Sequence, residues 1–559
     1  MNHLLQFFLK PTLPPYNPLE WARQPLHLRG RQVCQAWARD GYGTPLGIIL
    51  LYGLKILLYI LGWVWVCSFS PSLGSPTQLP QWWLEPLAFQ KAILFSMLFE
   101  VLGLGCGSGP LTGRYLPPVG GFLYWLRLGT TKLPLFPGLP LLGAPTRSWL
   151  DISVYAGLLL SLMAAVFAPT LSASQLLPIV VLLPLAGILD KTLFLAARAE
   201  HYGLTCLAFF ATEHWLPAAM SIQLALWFFA GVSKLNHHFP TVVAVMISNN
   251  PFLRLPWLRA RMYQQPPDDL RPSRLATLMA HMGTLLELSV PLAFAAVPFG
   301  LPVEVGIGLM LLLHSFILSN VPMGVPLEWN VMVVYAGFAL FVAHPETHWW
   351  QLDPPWLAAT VLLCSVVLPV LGNLLPSRIS FLVAMRYYAG NWPFSIYLFR
   401  GQSYRKLDRL VKTSPWVHDQ LAPFYDEGTR VGLVGKVMGF RLMHLHGRVL
   451  PRILPHAVED LAAYEWVDGE LVAGLALGWN FGDGHLHHEQ LLTTLQAQCS
   501  FEPGELRCIF VEAQPLQKQS LCYRIRDAAT GLLKAGELSI ADLRIHQPWE
   551  NPHPIQENI

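Results

Sequence analysis

Lys234 closes an apolar run, Trp227-Phe228-Phe229-Ala230-Gly231-Val232-Ser233, and a lysine at the end of such a run is a candidate general base. His237 and His238 follow at i+3 and i+4 and share its face if the helix continues. The competing reading is a lysine at a helix end whose stem lies in lipid while its charge reaches the headgroups. Other ionisable groups also interrupt apolar stretches: Glu100, Asp190, Lys191, His281, Glu287 and His314. Such groups are costly in hydrocarbon, so each should face a protein interior or a water-filled cavity, either as a working group or as a tie between helices. His281 and Glu287 stand six positions apart, about 120° from facing alike on a helix, so they need not share a site. Pro291 should loosen the turn that carries Glu287, because its ring clashes with the carbonyl four residues back.

These residues are conspicuous only if lipid surrounds the helices that carry them, and composition supports that premise. Charged residues are 13% of the chain and hydrophobic residues 53%, against about 25% charged in a soluble protein. A net charge of +3 gives no reason to expect nucleic acid. Apolar stretches of spanning length cover residues 46–69, 90–106, 152–168, 176–193, 275–299, 302–320, 329–343 and 356–375. Residues 202–235 are long for one helix, and the break at Glu213-His214-Trp215-Leu216-Pro217 suggests a hairpin of two. The fold class is therefore an α-helical polytopic membrane protein of nine or ten spans with a small carboxyl-terminal α+β domain. Basic residues before the first span (Lys10, Arg23, Arg29, Arg31, Arg39) place the N-terminus in the cytoplasm, and ten spans keep every basic loop on that side. The short apolar run 4–9 lacks a preceding basic residue and reads as an interfacial segment, with no cleaved leader expected.

Four regions follow: an interfacial segment 1–45, the helical domain 46–375, basic interfacial helices 376–438 and the α+β domain 439–559. Residues 506–513, 520–527 and 533–539 alternate like strands, and Ala528-Ala529-Thr530-Gly531 is a hairpin turn. Gly105-Cys106-Gly107-Ser108-Gly109 has alternating glycines but no preceding strand, and reads as a helix terminus, not a nucleotide loop. His485, His487 and His488 gather near Asp483 and Glu489, yet their spacing fits no zinc signature, and Asp483 can serve as a helix cap. Eight scattered cysteines form no CxxC pair.

Three short stretches resemble, in order, the membrane domain of the vitamin K-dependent gamma-carboxylase-like (HTTM) superfamily. They are Asp190-Lys191-Thr192 with His201-Tyr202, the run ending Ala230-Gly231-Val232-Ser233-Lys234-Leu235, and His281 through Ser289, with His314 beyond. The similarity covers about residues 176–343. It implies that Lys234 takes the place of the lysine base, that His201 assists, and that the substrate is a quinone-like lipid. Over its whole length the chain is similar to an uncharacterised bacterial multi-pass family through Pro326-Leu327-Glu328-Trp329-Asn330 and Asn480-Phe481-Gly482-Asp483-Gly484-His485. This resemblance implies a bacterial inner-membrane location.

Two functions fit. One is an enzyme acting on a lipid-soluble, quinol-like molecule, with Lys234 as base, His201 and His281 orienting the substrate and Glu287 balancing charge. In that reading Asp190, Lys191, His237, His238, His314 and Glu100 are pocket or structural polar groups. The other is a non-enzymatic protein that transports or organises envelope lipids, its tail docking an unidentified partner.

Overall fold

The computed structural model describes residues 7–323, 326–379, 389–480 and 488–551. After helix α1 (Leu26–Asp40) the chain enters α2 (Leu46–Cys67), whose leucines 50, 54, 57, 58 and 61 all point outward. A helix this apolar and this bare belongs in lipid. Helix α3 (Pro86–Val101) is instead buried along most of its length. Helices α4 (Trp149–Phe167) and α5 (Ala173–Leu189) each begin at a serine capping box, Ser148 with Asp151 and Ser172 with Gln175. The short α6 (Lys191–Ala196) is capped by Asp190, and a π turn, Ala199–Gly203, leads into α7 (Leu204–Ala211). The chain then breaks and resumes as α8 (Leu216–Val232), so residues 202–235 form two helices, as the Glu213–Pro217 break suggests.

Helix α9 (Phe239–Asn249) and a two-stranded hairpin, β1 (Tyr263–Gln265) and β2 (Asp269–Pro272), precede α10 (Arg274–Ala295), α11 (Val303–Ser319), α12 (Leu327–Val342) and α13 (Pro355–Leu374). Among the described residues four helices, α2, α4, α10 and α13, are long and apolar enough to cross a membrane, and α5, α8, α9, α11 and α12 are shorter apolar helices. Helix α10 continues through Pro291.

The connections gather at two ends. At one, Ser70 Oγ donates to Ala168 O (3.5 Å), Tyr335 Oη to Trp83 O (2.6 Å) and Trp349 Nε1 to Ala295 O (3.2 Å). At the other, Trp479 Nε1 donates to Cys106 O (2.6 Å) and Tyr124 Oη to Leu475 O (2.8 Å), which fastens the tail to the bundle.

The tail is built on a five-stranded antiparallel sheet in the order β4-β3-β5-β6-β7. Its strands are β3 (Phe394–Arg400), β4 (Tyr464–Asp468), β5 (Leu506–Val511), β6 (Ser520–Asp527) and β7 (Gly531–Ser539). The last three match the alternating stretches of the sequence, and Asp527 Oδ1 accepts from the backbone of Ala529 and Thr530 in the turn before β7. Strand β3 corrects the expectation of headgroup-level helices in this part of the chain. Residues 394–399 are buried on both faces of the sheet, so they read as one apolar run without alternation. Helices α14 (Glu427–Met443), α15 (Gly469–Leu477) and α16 (Glu489–Cys499) complete the tail. Tyr397, Phe399, Leu475 and Trp479 share one apolar core with Val101, Leu133 and Leu195 of the bundle, so the tail is packed onto the helices, not tethered to them.

Glu465 on β4 supplies a pH-dependent element in the tail. Burial pushes its carboxyl up to about 7, although Trp416 Nε1 donates to it at 3.1 Å. The folded state therefore holds this proton more tightly than the unfolded one. The resulting stability is present below about pH 4.5 and is lost as pH rises through about 7, a swing of about 3 kcal/mol at most. Glu465→Gln should match the wild type in thermal melts at pH 4 and exceed it at pH 8. Parallel melting curves at both pH values would refute the assignment.

Candidate functional site

The glycine-rich turn after α3 is shaped around a carboxylate. Glu100 Oε2 accepts from the Cys106 backbone at 3.0 Å, and a Cβ on Gly105 would lie 2.2 Å from that oxygen, which only glycine avoids. Lys55, midway along α2, donates to Gly105 O at 2.9 Å and pairs with Glu328 Oε1 of α12 at 2.6 Å. Arg198 Nε lies 4.0 Å from Glu100 Oε1, and its guanidinium sits 5.7 Å from the centre of the Trp329 ring. Trp329 Nε1 in turn donates to His201 Nδ1 at 3.1 Å. Two cations and two carboxylates thus balance within the bundle, with Glu100, Arg198 and Glu328 each 2% exposed. Balanced charge is what makes burial of four such groups tolerable. Arg198 holds φ +50° ahead of the π turn, a left-handed conformation that costs a non-glycine residue about 1–2 kcal/mol and collects at working sites.

Arg198 also lines a cavity of 380 Å³ between the bundle and the tail, within the range of small-molecule sites. The bundle contributes Pro45 and Ile48 at the first turn of α2, and the tail contributes Val437 and Leu471 from α14 and α15. The walls are mostly apolar and aromatic, and among the described residues their ionisable side chains besides tyrosines are Arg198, Asp468 and Glu470. Asp468 caps α15 and holds Arg441 through two contacts of 2.5 and 2.9 Å, while Arg441 Nη2 reaches Glu470 Oε1 at 3.2 Å. Burial pulls the Arg441 guanidinium down, and the two carboxylates outweigh it and hold it above its ordinary value. The cavity therefore sits where an apolar bundle end meets a charged tail.

The residues singled out from the sequence divide into several places. Lys234 and Glu287 do meet, as an ion pair between the end of α8 and α10, but neither lines the cavity. His314 belongs to a neighbouring tie. Trp227 Nε1 donates to its Nε2 at 3.0 Å, so the ring is neutral, with Nδ1 donating to Asn330 Oδ1 at 2.9 Å. His201 joins Trp329 and the Arg198 cluster, with no bond to Lys234 or Glu287, and His281 is exposed on the outer face of α10. Of the four residues expected to form one pocket, Lys234 and Glu287 thus stay together, and His201 and His281 stand apart from them.

The helix does not continue past Lys234, which corrects the shared face with His237 and His238. Asn236 Oδ1 accepts from the backbone of His238 (2.7 Å) and Phe239 (3.0 Å) and closes a turn ahead of Pro240. His237 is exposed, and the buried His238 bonds Gln514 Oε1 at 2.9 Å. Asp190 is the partner of a buried Arg147, and Lys191 is buried beside it, its backbone donating to Leu133 O. His485 and His487 lie outside the described residues. His488 lies 3.0 Å from both Glu512 Oε1 and Arg524 Nη2, at the start of α16. Among the described residues no group of three or more His, Cys, Asp or Glu is placed to hold a metal ion.

Lys55, Arg198, Glu328 and the Arg441–Asp468 pair are the groups that sequence reasoning missed. Lys55 interrupts an apolar helix just as Glu100 does, so the same criterion reaches it, whereas Glu328 stands in the first turn of α12.

Helices apolar enough to cross a bilayer, ion pairs buried among them, and a sheet-bearing tail packed on one end define an integral membrane protein. The chain belongs to the DUF3556 family, described as transmembrane protein of unknown function, which it matches over residues 7–558. No curated protein and no solved structure matches it.

Proposed function

We propose that this membrane protein binds a lipid-soluble, amphipathic molecule in the cavity between bundle and tail. The observation that carries the reading is the cavity itself: apolar walls, the charged groups Arg198, Asp468 and Glu470 among the described residues, and a position at the first turn of a lipid-facing helix. An amphiphile leaving the bilayer at that depth can keep its chain among Ile48, Val437 and Leu471 while its head meets the charges. A quinone-like isoprenoid and an envelope lipid both belong to this class, and the motif series of residues 176–343 supports a lipid-soluble ligand. The Lys234–Glu287 pair outside the cavity favours binding or handling of the lipid over chemistry at Lys234.

Val437→Trp fills the cavity from α14, where the native side chain is only partly buried. Mass spectrometry of lipid extracted from the purified protein should show a co-purifying amphiphile in the wild type and its loss, about tenfold or more, in the variant. Equal recovery from both would refute the reading.

Ten passes, with both termini on the cytoplasmic side, suit this reading best. The loop after α3 and the tail meet at one end of the bundle, and the basic residues before α2 precede that same end. A reporter fused after Ile559 should be active only in its cytoplasmic form, and the opposite result overturns this topology.

A further inference from the structure

We infer that residues 251–261 form a surface anchor for anionic lipid, with Phe252, Leu255 and Trp257 among the acyl chains and Arg254 and Arg261 at the phosphates. The inference stands apart from the cavity, which none of these residues lines. Both ends of the segment are fixed at the ends of apolar helices. At its start, Asn250 Nδ2 donates to Ser319 Oγ of α11 at 2.8 Å, and Asn250 Oδ1 accepts from the backbone of Phe252 (2.8 Å) and Leu253 (3.0 Å). At its end, Ser273, the cap of α10, donates to Met262 O from its backbone (2.9 Å) and to Arg261 O from Oγ (2.6 Å). Helix α10 is long and apolar enough to cross a membrane, and its Leu275, Leu278 and Met282 are exposed from the first turns onward. The segment therefore lies where lipid-facing helix surface begins, at the level of the headgroups.

The surface of the segment suits that level. Phe252 is 71% and Trp257 56% exposed, with Leu255 exposed between them, and neighbouring large apolar side chains left bare mark an interaction site. Pro256 opens a short helix, Pro256–Arg261, and the Arg261 guanidinium rests 5.5 Å from the centre of the Trp257 ring, so charge and aromatic are presented together. Arg259 instead donates to Arg39 O of α1 at 3.3 Å, which holds this helix against the protein. Arg254 and Arg261 are exposed and make no ion pair among the described residues, while Asp268 and Asp269 of the adjoining hairpin are paired with Arg31 and Arg271. Two outward cations beside three bare apolar side chains match a leaflet that carries anionic headgroups over hydrocarbon. Attachment to the lipid-facing α10 favours this leaflet over a protein partner.

The test puts the photo-crosslinker benzoylphenylalanine in place of Phe252 in the full-length protein, reconstituted in mixed phosphatidylcholine and phosphatidylglycerol vesicles. Mass spectrometry then identifies the adducts. Lipid adducts should form, with phosphatidylglycerol enriched about fivefold over its share of the vesicle, the preference that one arginine at the surface supplies. Arg254→Gln combined with Arg261→Gln should return the adducts to the vesicle's own ratio. Both side chains are exposed, so the fold does not depend on them. Lipid adducts without enrichment, enrichment that survives the double variant, crosslinks to a second copy of the chain, or no lipid adduct each overturn the inference.

Discussion

Arg441→Ala should destabilise the tail by about 3–5 kcal/mol, seen as a large drop in the melting temperature of the detergent-purified protein and as early protease cleavage in residues 427–477. Arg441 and Asp468 are each 1% exposed, so removing the guanidinium leaves a carboxylate with neither water nor its ionic partner. That aspartate cannot simply turn away, because Oδ1 also accepts from the Glu470 backbone (2.9 Å) as the cap of α15. Lysine is a poor substitute, since one ammonium cannot reproduce the paired contacts of a planar guanidinium. Adding Asp468→Asn to Arg441→Ala should recover part of the loss, because asparagine retains the cap and removes the stranded charge. A single variant that melts like the wild type would show that this pair is solvated, contrary to its burial.

The sequence carries the long helices and the last three strands plainly, for one reason: their periodicity is set by one solvent. Helix α2 meets lipid on nearly every side and is apolar apart from Lys55 and two tyrosines, and β6 alternates because successive residues face opposite sides of the sheet. Strand β3 has protein on both sides, so its pattern is lost. The turn after Lys234 was legible locally, since Asn236 and Pro240 both oppose helix continuation, but the apolar run before it carried more weight. The cavity was not legible at all. Ile48 and Val437 meet there across most of the chain, and no spacing rule links a first helical turn to a helix near the far terminus. Charges inside apolar runs were the better guide. They pointed to Glu100 and Asp190, whose buried partners, Arg198 and Arg147, lie in connections that the span pattern leaves unread.

Lys234 and Glu287 were both conspicuous in the sequence, and the question their pairing raises is whether the lysine serves chemistry or packing. A double-mutant cycle separates the two. Glu287 has a side chain 6% exposed, so Lys234→Met should strand a buried carboxylate and cost about 3–5 kcal/mol. Glu287→Leu should cost less, because Lys234 is 15% exposed and its flexible stem can carry the ammonium outward. Replacing both leaves apolar side chains of similar length against Phe239, whose ring already lies 5.7 Å from the ammonium, and should restore most of the melting temperature. The expected coupling is about 2 kcal/mol or more, as for groups in direct contact. The double variant should also retain the lipid that Val437→Trp loses, since neither residue lines the cavity. Additive losses, with a double variant as unstable as the two singles combined, would remove packing as the explanation. A stable double variant that has lost its lipid would return Lys234 to the functional site.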